Sequence, residues 1–200
     1  LKDRFVVFSP ESFIKIKNGK IYTYPMKGTA IKENPESAQK LLDDPKESAE
    51  HATITDLLRN DLSKVAKNVK VNRYRYIDEI NTGGKTILQV SSEISGDLFP
   101  EYCNNFGDLF QKILPAGSVT GAPKKKTVEI IKATENYNRG FYTGVFGYFN
   151  GESLDSAVMI RYIEKEGDEY FYKSGGGITS MSDAKKEYRE LIDKIYVPVH

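Results

Sequence analysis

A lysine in a structured corner and two pairs of glutamates carry the chemistry this sequence can offer. Lys27 follows the strand-like run Lys20–Tyr24, with Pro25 before it and Gly28 after it. Proline and glycine on either side predict a tight corner. An amine held there can be partly desolvated and so become a nucleophile. The plainer reading of the same lysine is a surface charge. Glu47 and Glu50 are three residues apart, as are Glu187 and Glu190, and at that spacing two side chains share one helix face. In the second pair's helix, Tyr188, Leu191, Ile192 and Ile195 form an apolar stripe, with Glu187, Glu190 and Lys194 on another. Each pair reads either as a solvated face or as half of an oxygen-rich site for a hard cation such as Mg²⁺, with positions left open for an anionic substrate.

Other residues offer supporting roles. Glu11, just after a strand, is either a surface carboxylate or a general acid whose proton is held by burial. Arg161 closes the apolar run Ala157–Ile160, where a guanidinium can clamp a carboxylate through two parallel hydrogen bonds. Gly175 and Gly177 permit a turn whose backbone N–H groups cradle an anion. The segment from Gly117 to Lys124 superficially suggests a phosphate loop, but Gly121 is followed by Ala122-Pro123-Lys124 in place of Gly-Lys-Ser/Thr. Pro123 reads instead as a helix opener, with Lys124–Lys126 as a solvated first turn. His51 and His200 are too isolated for a zinc site.

The elements that must position these groups read as an α+β chain. Short strands occupy residues 4–24, broken at Ser9-Pro10 and Asn18-Gly19, and residues 36–66 are mostly helical, with Pro45 near the start of the main helix. Residues 68–78 and 85–95 read as a hairpin through Gly83-Gly84, and 98–114 as an amphipathic helix. After the 114–124 loop comes a helix to about 133. A second hairpin, 142–149 with 154–163, turns at Asn150-Gly151. Strand 168–174 then leads to a closing helix, 181–196. Hairpin connections dominate, which argues for α+β rather than a doubly wound parallel sheet.

Composition sets the outer bounds. With 29 basic and 28 acidic residues among 200, the net charge is +1, so no nucleic-acid partner is implied. No apolar run approaches a membrane span, and no signal-peptide pattern opens the chain. The single cysteine, Cys103, excludes an internal disulfide and fits a cytoplasmic setting. The first residues, Leu1–Arg4, lack a methionine and lead straight into Phe5–Phe8. That start reads as a strand entering a larger sheet, in a single domain (1–200) that is incomplete at its N-terminus.

Taken together, seven segments resemble the chorismate-utilising enzymes. They are SPESF (9–13), PMKGTA (25–30), KESAEHATITDLLRNDLSKV (46–65), ILPAGSVTGAPKKKTVEII (113–131), RGFYTGVFGYF (139–149), LDSAVMIRY (154–162) and SGGGITSMSDAKKEYRELIDK (174–194). They stand in the family's order along the whole chain. The resemblance implies a four-layer α/β/β/α arrangement with two packed antiparallel sheets. It implies that Glu50 and Glu190 hold Mg²⁺, supported by Glu47 and Glu187. Arg161, Tyr142, Lys194 and the backbone at Gly175 and Gly177 would hold the carboxylates of chorismate. Gly28 and Thr29 would line the ring pocket, and Glu11 would protonate the departing C4 hydroxyl. Lysine at position 27 points within the family to aminodeoxychorismate synthase component I, where anthranilate synthases carry alanine. The implied partners are ammonia and a glutamine amidotransferase subunit that supplies it. The alternatives are anthranilate synthase component I and a chorismate-binding fragment without turnover. Gln89 departs from the family pattern, since many relatives carry histidine there, and the family's additional N-terminal segment has no counterpart here.

Overall fold

The computed structural model describes residues 1–81, 85–180 and 182–195. One antiparallel sheet joins β1 (Phe5–Val7), β9 (Tyr162–Glu166) and β10 (Glu169–Lys173). A larger sheet of seven strands runs β4 (Met26–Ile31), β6 (Thr86–Leu98), β3 (Lys20–Thr23), β2 (Ser12–Lys17), β8 (Leu154–Val158) and β7 (Val145–Phe149), with β5 (Ala66–Asn81) paired to β6. All the pairings are antiparallel. Six helices accompany them among the described residues: α1 (Ser37–Asp43), α2 (Pro45–Leu62), α3 (Phe106–Ile113), α4 (Gly117–Thr120), α5 (Lys124–Thr134) and α6 (Ala184–Asp193). The expected α+β class is met.

Helix α2 shows how local signals and packing agree. Asp44 caps it by accepting from the N–H groups of Lys46 and Glu47, and Pro45 occupies the first turn, where its missing N–H costs nothing. Its buried residues, His51, Thr55, Leu58, Asp61 and Leu62, recur at helical spacing. Leu58 and Leu62 join Ile14, Ile21, Val65, Ile94, Leu109 and Val158 in the main core. An aspartate on that core-facing stripe demands a partner. It has two: Lys124 Nζ at 2.5 Å from Oδ2 and Lys64 Nζ at 2.7 Å from Oδ1.

Several sequence expectations need correction. Residues 26–31, read as a corner around Lys27, form a strand; its pairing with β6 slips between Met26 and Thr29, a bulge made possible by Gly28 at φ +88°. The helix expected over 98–114 is confined to 106–113, because Pro100 opens a 3₁₀ turn and the Asn105 side chain caps a fresh start at Asp108 N. The strand expected over 154–163 is two strands. Arg161 does not end the first of them: it lies in the connection between β8 and β9, at φ +52°. Lys124 is not solvated, since its side chain is 15% exposed against an Asp61 carboxylate that is 6% exposed. Of the second-hairpin arm read over 142–149, only 145–149 is extended; Thr143 at φ +63° keeps the preceding residues in a turn. The Gly83-Gly84 turn, and the Met181 and Tyr196 ends of the closing helix, lie outside the described residues.

Replacing Lys124 by methionine keeps the volume and strands most of the charge on Asp61. The variant should lose about 3 kcal/mol of unfolding free energy in urea titrations. A loss under about 0.5 kcal/mol would show that Lys64 and water suffice for Asp61.

Candidate active site

The bulge in β4 brings Lys27, Gly28 and Thr29 together with Glu47 and Glu50 of α2. Lys27 Nζ lies 2.6 Å from Glu50 Oε2. Gly28 is pressed against α1 and α2: a Cβ there would stand 3.3 Å from Glu47 Oε2 on α2 and 3.4 Å from Leu41 Cδ1 on α1. Glycine is required for its positive φ as well as for this close approach. Thr29 donates its hydroxyl to Gln89 Oε1 at 2.9 Å, and Gln89 Nε2 donates to the Gly28 carbonyl at 2.8 Å. The amide at position 89 thus uses both its ends to fasten the bulge from β6.

The expectation of a desolvated amine is not met in this form. The Lys27 side chain is 46% exposed and ion-paired, and an ammonium held by a carboxylate has no lone pair for attack. Behind it, His51 is fully buried on α2. Its Nε2 lies 2.7 Å from Ser92 Oγ, and burial pushes the imidazole below its ordinary range, offset in part by the Lys27 backbone.

Helix α6 supplies the second acidic pair. Lys194 Nζ lies 2.6 Å from Glu190 Oε1. That hydrogen bond, joined by the positive charges of Lys194, Lys27 and Lys46, holds the Glu190 carboxyl below its ordinary value against the opposing effect of burial. Lys27 therefore stands bonded to Glu50 on α2 while its field reaches Glu190 on α6. Glu187 Oε1 accepts from the Ser182 hydroxyl at 2.7 Å, and Oε2 lies close to Gly176. Four carboxylates are the donor chemistry a hard divalent cation takes. Among the described residues, however, no three acidic, histidine or cysteine side chains form a closed cluster. Glu50 and Glu190 are engaged by lysines and Glu187 by a hydroxyl, so the donors fit Mg²⁺ in kind but must exchange partners to take it.

A further group is built around Tyr142, which is buried against Met159 and Tyr162. Its hydroxyl sits so close to Gly175 that a Cβ at that position would come within 2.8 Å of it. Burial raises the phenol above its ordinary value, and Arg161 works in the other direction. Tyr142 and Gly175 are thereby brought together, with the charge of Arg161 felt at the phenol, while Gly177 is exposed with open space where a Cβ would be.

Glu11 approaches from the β2 end. Its backbone is fixed by Val158 N–H donating to its carbonyl at 3.1 Å and by its own N–H donating to Ser9 Oγ at 3.1 Å. Burial pushes its carboxyl above the ordinary range, and a hydrogen bond from the Ser118 hydroxyl pulls the other way. A cavity beside it is lined by Phe13, Thr23, Tyr24, Met26, Ile54 and Ser118. Sequence reading missed Ser118, as well as the Asp61–Lys124 pair beneath it. The signal for the pair was present: an aspartate on an apolar stripe and a lysine directly after Gly121-Ala122-Pro123.

Comparison with known proteins gives these groups a context. A family model described as chorismate binding enzyme matches residues 2–200. An uncharacterised PabA-like protein of Pasteurella multocida is 54% identical over 99% of this chain and 61% of its own length. Anthranilate synthase component 1 of Acetivibrio thermocellus is 37% identical over 96% of the chain and 39% of its own length. Aminodeoxychorismate synthase component 1 of Bacillus subtilis is 34% identical over 94% and 40%. The crystal structure of anthranilate synthase component I from Streptococcus pneumoniae superposes with a TM-score of 0.84 at 33% identity, covering 97% of this chain and 43% of that one. The chain thus spans between about two-fifths and three-fifths of the length of these relatives.

The raised Glu11 carboxyl has a consequence for stability. A group that takes up its proton more readily when folded contributes stability at low pH and loses it as pH rises through its folded value. Glu11→Gln copies the protonated form and can still accept from Ser118. It should melt higher than the parent near pH 7, with the difference vanishing below the ordinary carboxylate range. Equal melting temperatures at both pH values would refute the raised carboxyl.

Proposed function

Because the chain belongs to the chorismate binding enzyme family, we propose that it aminates chorismate at C4 to give 4-amino-4-deoxychorismate. The observation that carries this reading is the lysine in the β4 bulge, paired with Glu50 and within the field of Glu190. An amine at that point is the nucleophile the reaction needs.

In this mechanism Lys27 leaves Glu50, gives up a proton and attacks C2 of chorismate. The N–C2 bond forms as the C4–O bond breaks, and Glu11 delivers its proton to the departing hydroxyl, which leaves as water. Ammonia then adds at C4 and the C2–N bond to Lys27 breaks, regenerating the amine. Arg161, Tyr142, Lys194 and the backbone at Gly175 and Gly177 hold the substrate carboxylates. The close seating of Tyr142 on Gly175 supports that assignment. Gly28 and Thr29 face the ring, with Gln89 fixing both. Mg²⁺, held by Glu50 and Glu190 with Glu47 and Glu187 behind them, would neutralise the ring carboxylate of the substrate. The proposal extends to a glutamine amidotransferase as ammonia source, to a role in forming the 4-aminobenzoate precursor of folate, and to a cytoplasmic setting. Cys103 is a free, exposed thiol, which suits a reducing compartment.

The second reading is anthranilate synthase, in which ammonia attacks C2 directly. It is favoured by the 37% identity to the Acetivibrio enzyme. The third is binding of chorismate without turnover.

Intact mass after incubation with chorismate and Mg²⁺, without ammonia, separates them. The proposal expects an adduct of chorismate less water that maps to Lys27 and is absent in Lys27→Ala. Fluorescent anthranilate on adding an ammonium salt, with no adduct and no 4-amino product, would establish the second reading. Saturable binding with neither product nor adduct would establish the third.

A further inference from the structure

The segment that resembles a phosphate loop has a different use. Residues 114–123 leave α3 and return into α5, and Lys124 closes them like a clasp. Its Nζ donates to the Ile113 carbonyl at 2.8 Å, at the loop's start, and to Asp61 Oδ2 at 2.5 Å, on α2. The loop is seated on the same helix by Gly117, where a Cβ would come within 2.9 Å of Leu57 and 3.3 Å of Asp61 Oδ2. Within the loop, Thr120 donates to the Ala116 carbonyl at 3.2 Å, and Gly121 N–H to the Gly117 carbonyl at 2.7 Å. Ala116, Gly117 and Thr120 are buried, and Ser118 is left on the exposed side. There its hydroxyl donates to Glu11 Oε1, across 107 residues of sequence.

We propose that Ser118 is a positioning residue, and that the clasped loop serves to present its hydroxyl to Glu11, fixing Oε1 as the acceptor and leaving Oε2 to carry the transferable proton. This rests on the reading of Glu11 as the general acid. A neutral carboxyl is a donor through one oxygen only, so committing the other oxygen to a hydroxyl decides which face of the group delivers the proton. The contact also opposes the effect of burial on the carboxyl, keeping Glu11 able to part with its proton near neutral pH. Lys124 and Asp61 act one step further back, by holding the loop.

The test is the titration of the Glu11 carboxyl, followed by ¹³C NMR in the parent, Ser118→Ala and Ser118→Thr. Loss of a hydrogen bond that favours the carboxylate should raise the midpoint in Ser118→Ala by about 0.5–1 pH unit, with Ser118→Thr restoring it. In turnover, the alkaline limb of the kcat profile should move upward by the same amount, with KM unchanged. An unchanged midpoint in Ser118→Ala overturns the proposal, as does a threonine variant that behaves like alanine. Failure of the functional reading is seen elsewhere: Glu11→Gln would then turn over chorismate normally, while the midpoint still responded to Ser118.

Discussion

Strand β6 is hydrogen-bonded along both edges, and the site exists because of how those edges are shared. One edge pairs with β5 from Ala66–Leu98 to Asn81–Thr86. The other is divided end to end: β3 takes Ile94–Asp97 and β4 takes Ile87–Ser91. Between them the chain passes through Tyr24-Pro25, where Pro25 has no N–H to give but its carbonyl accepts from Ser92 at 2.9 Å. Re-entering the edge requires the bulge at Lys27-Gly28, and the bulge turns Lys27 toward α2. On a regular stretch of β4 the register alone would decide which face of the sheet Lys27 occupies. The position of the amine is thus a by-product of two strands sharing one partner.

Around that amine the free protein is electrostatically closed on itself. Lys27 and Lys46 attend Glu50, and Lys194 attends Glu190. These pairs are half-exposed, so each contributes little to stability. Pairs of that kind can exchange partners at small cost. The Asp61–Lys124 pair is the contrast. It is buried, satisfied on both oxygens and tied to a backbone carbonyl, and so belongs to the frame.

Much of the frame was legible in the sequence. The Asp44-Pro45 start of α2, the Asn150-Gly151 hairpin and the long β5–β6 pair follow from capping, turn chemistry and alternation. The ordered segments identified the family. What was not legible depended on tertiary pairing. Arg161 continues an apolar run and reads as strand, yet its left-handed backbone turns the chain from one sheet into the other. Lys27 reads as a corner because Pro25 and Gly28 are turn formers, and only the partner strand shows that they serve a bulge. Lys124 reads as solvated within three consecutive lysines, because burial of a single member is decided by an aspartate 63 residues away.

Strand β2 lies between β3 and β8, and this has a consequence for assembly during synthesis. Its neighbour β3 follows at once, but the hydrogen bonds between Ile14 and Ser156 join residues 142 apart. A ribosome must make β8 before β2 has its second edge covered. Until then the segment carrying Glu11 is held on one side only, and its carbonyl lacks the Val158 N–H that fixes it. Contacts of such long separation are formed late and slowly. The acid end of the site is therefore assembled after the amine end, whose partners in α2 and β6 all lie within the first hundred residues.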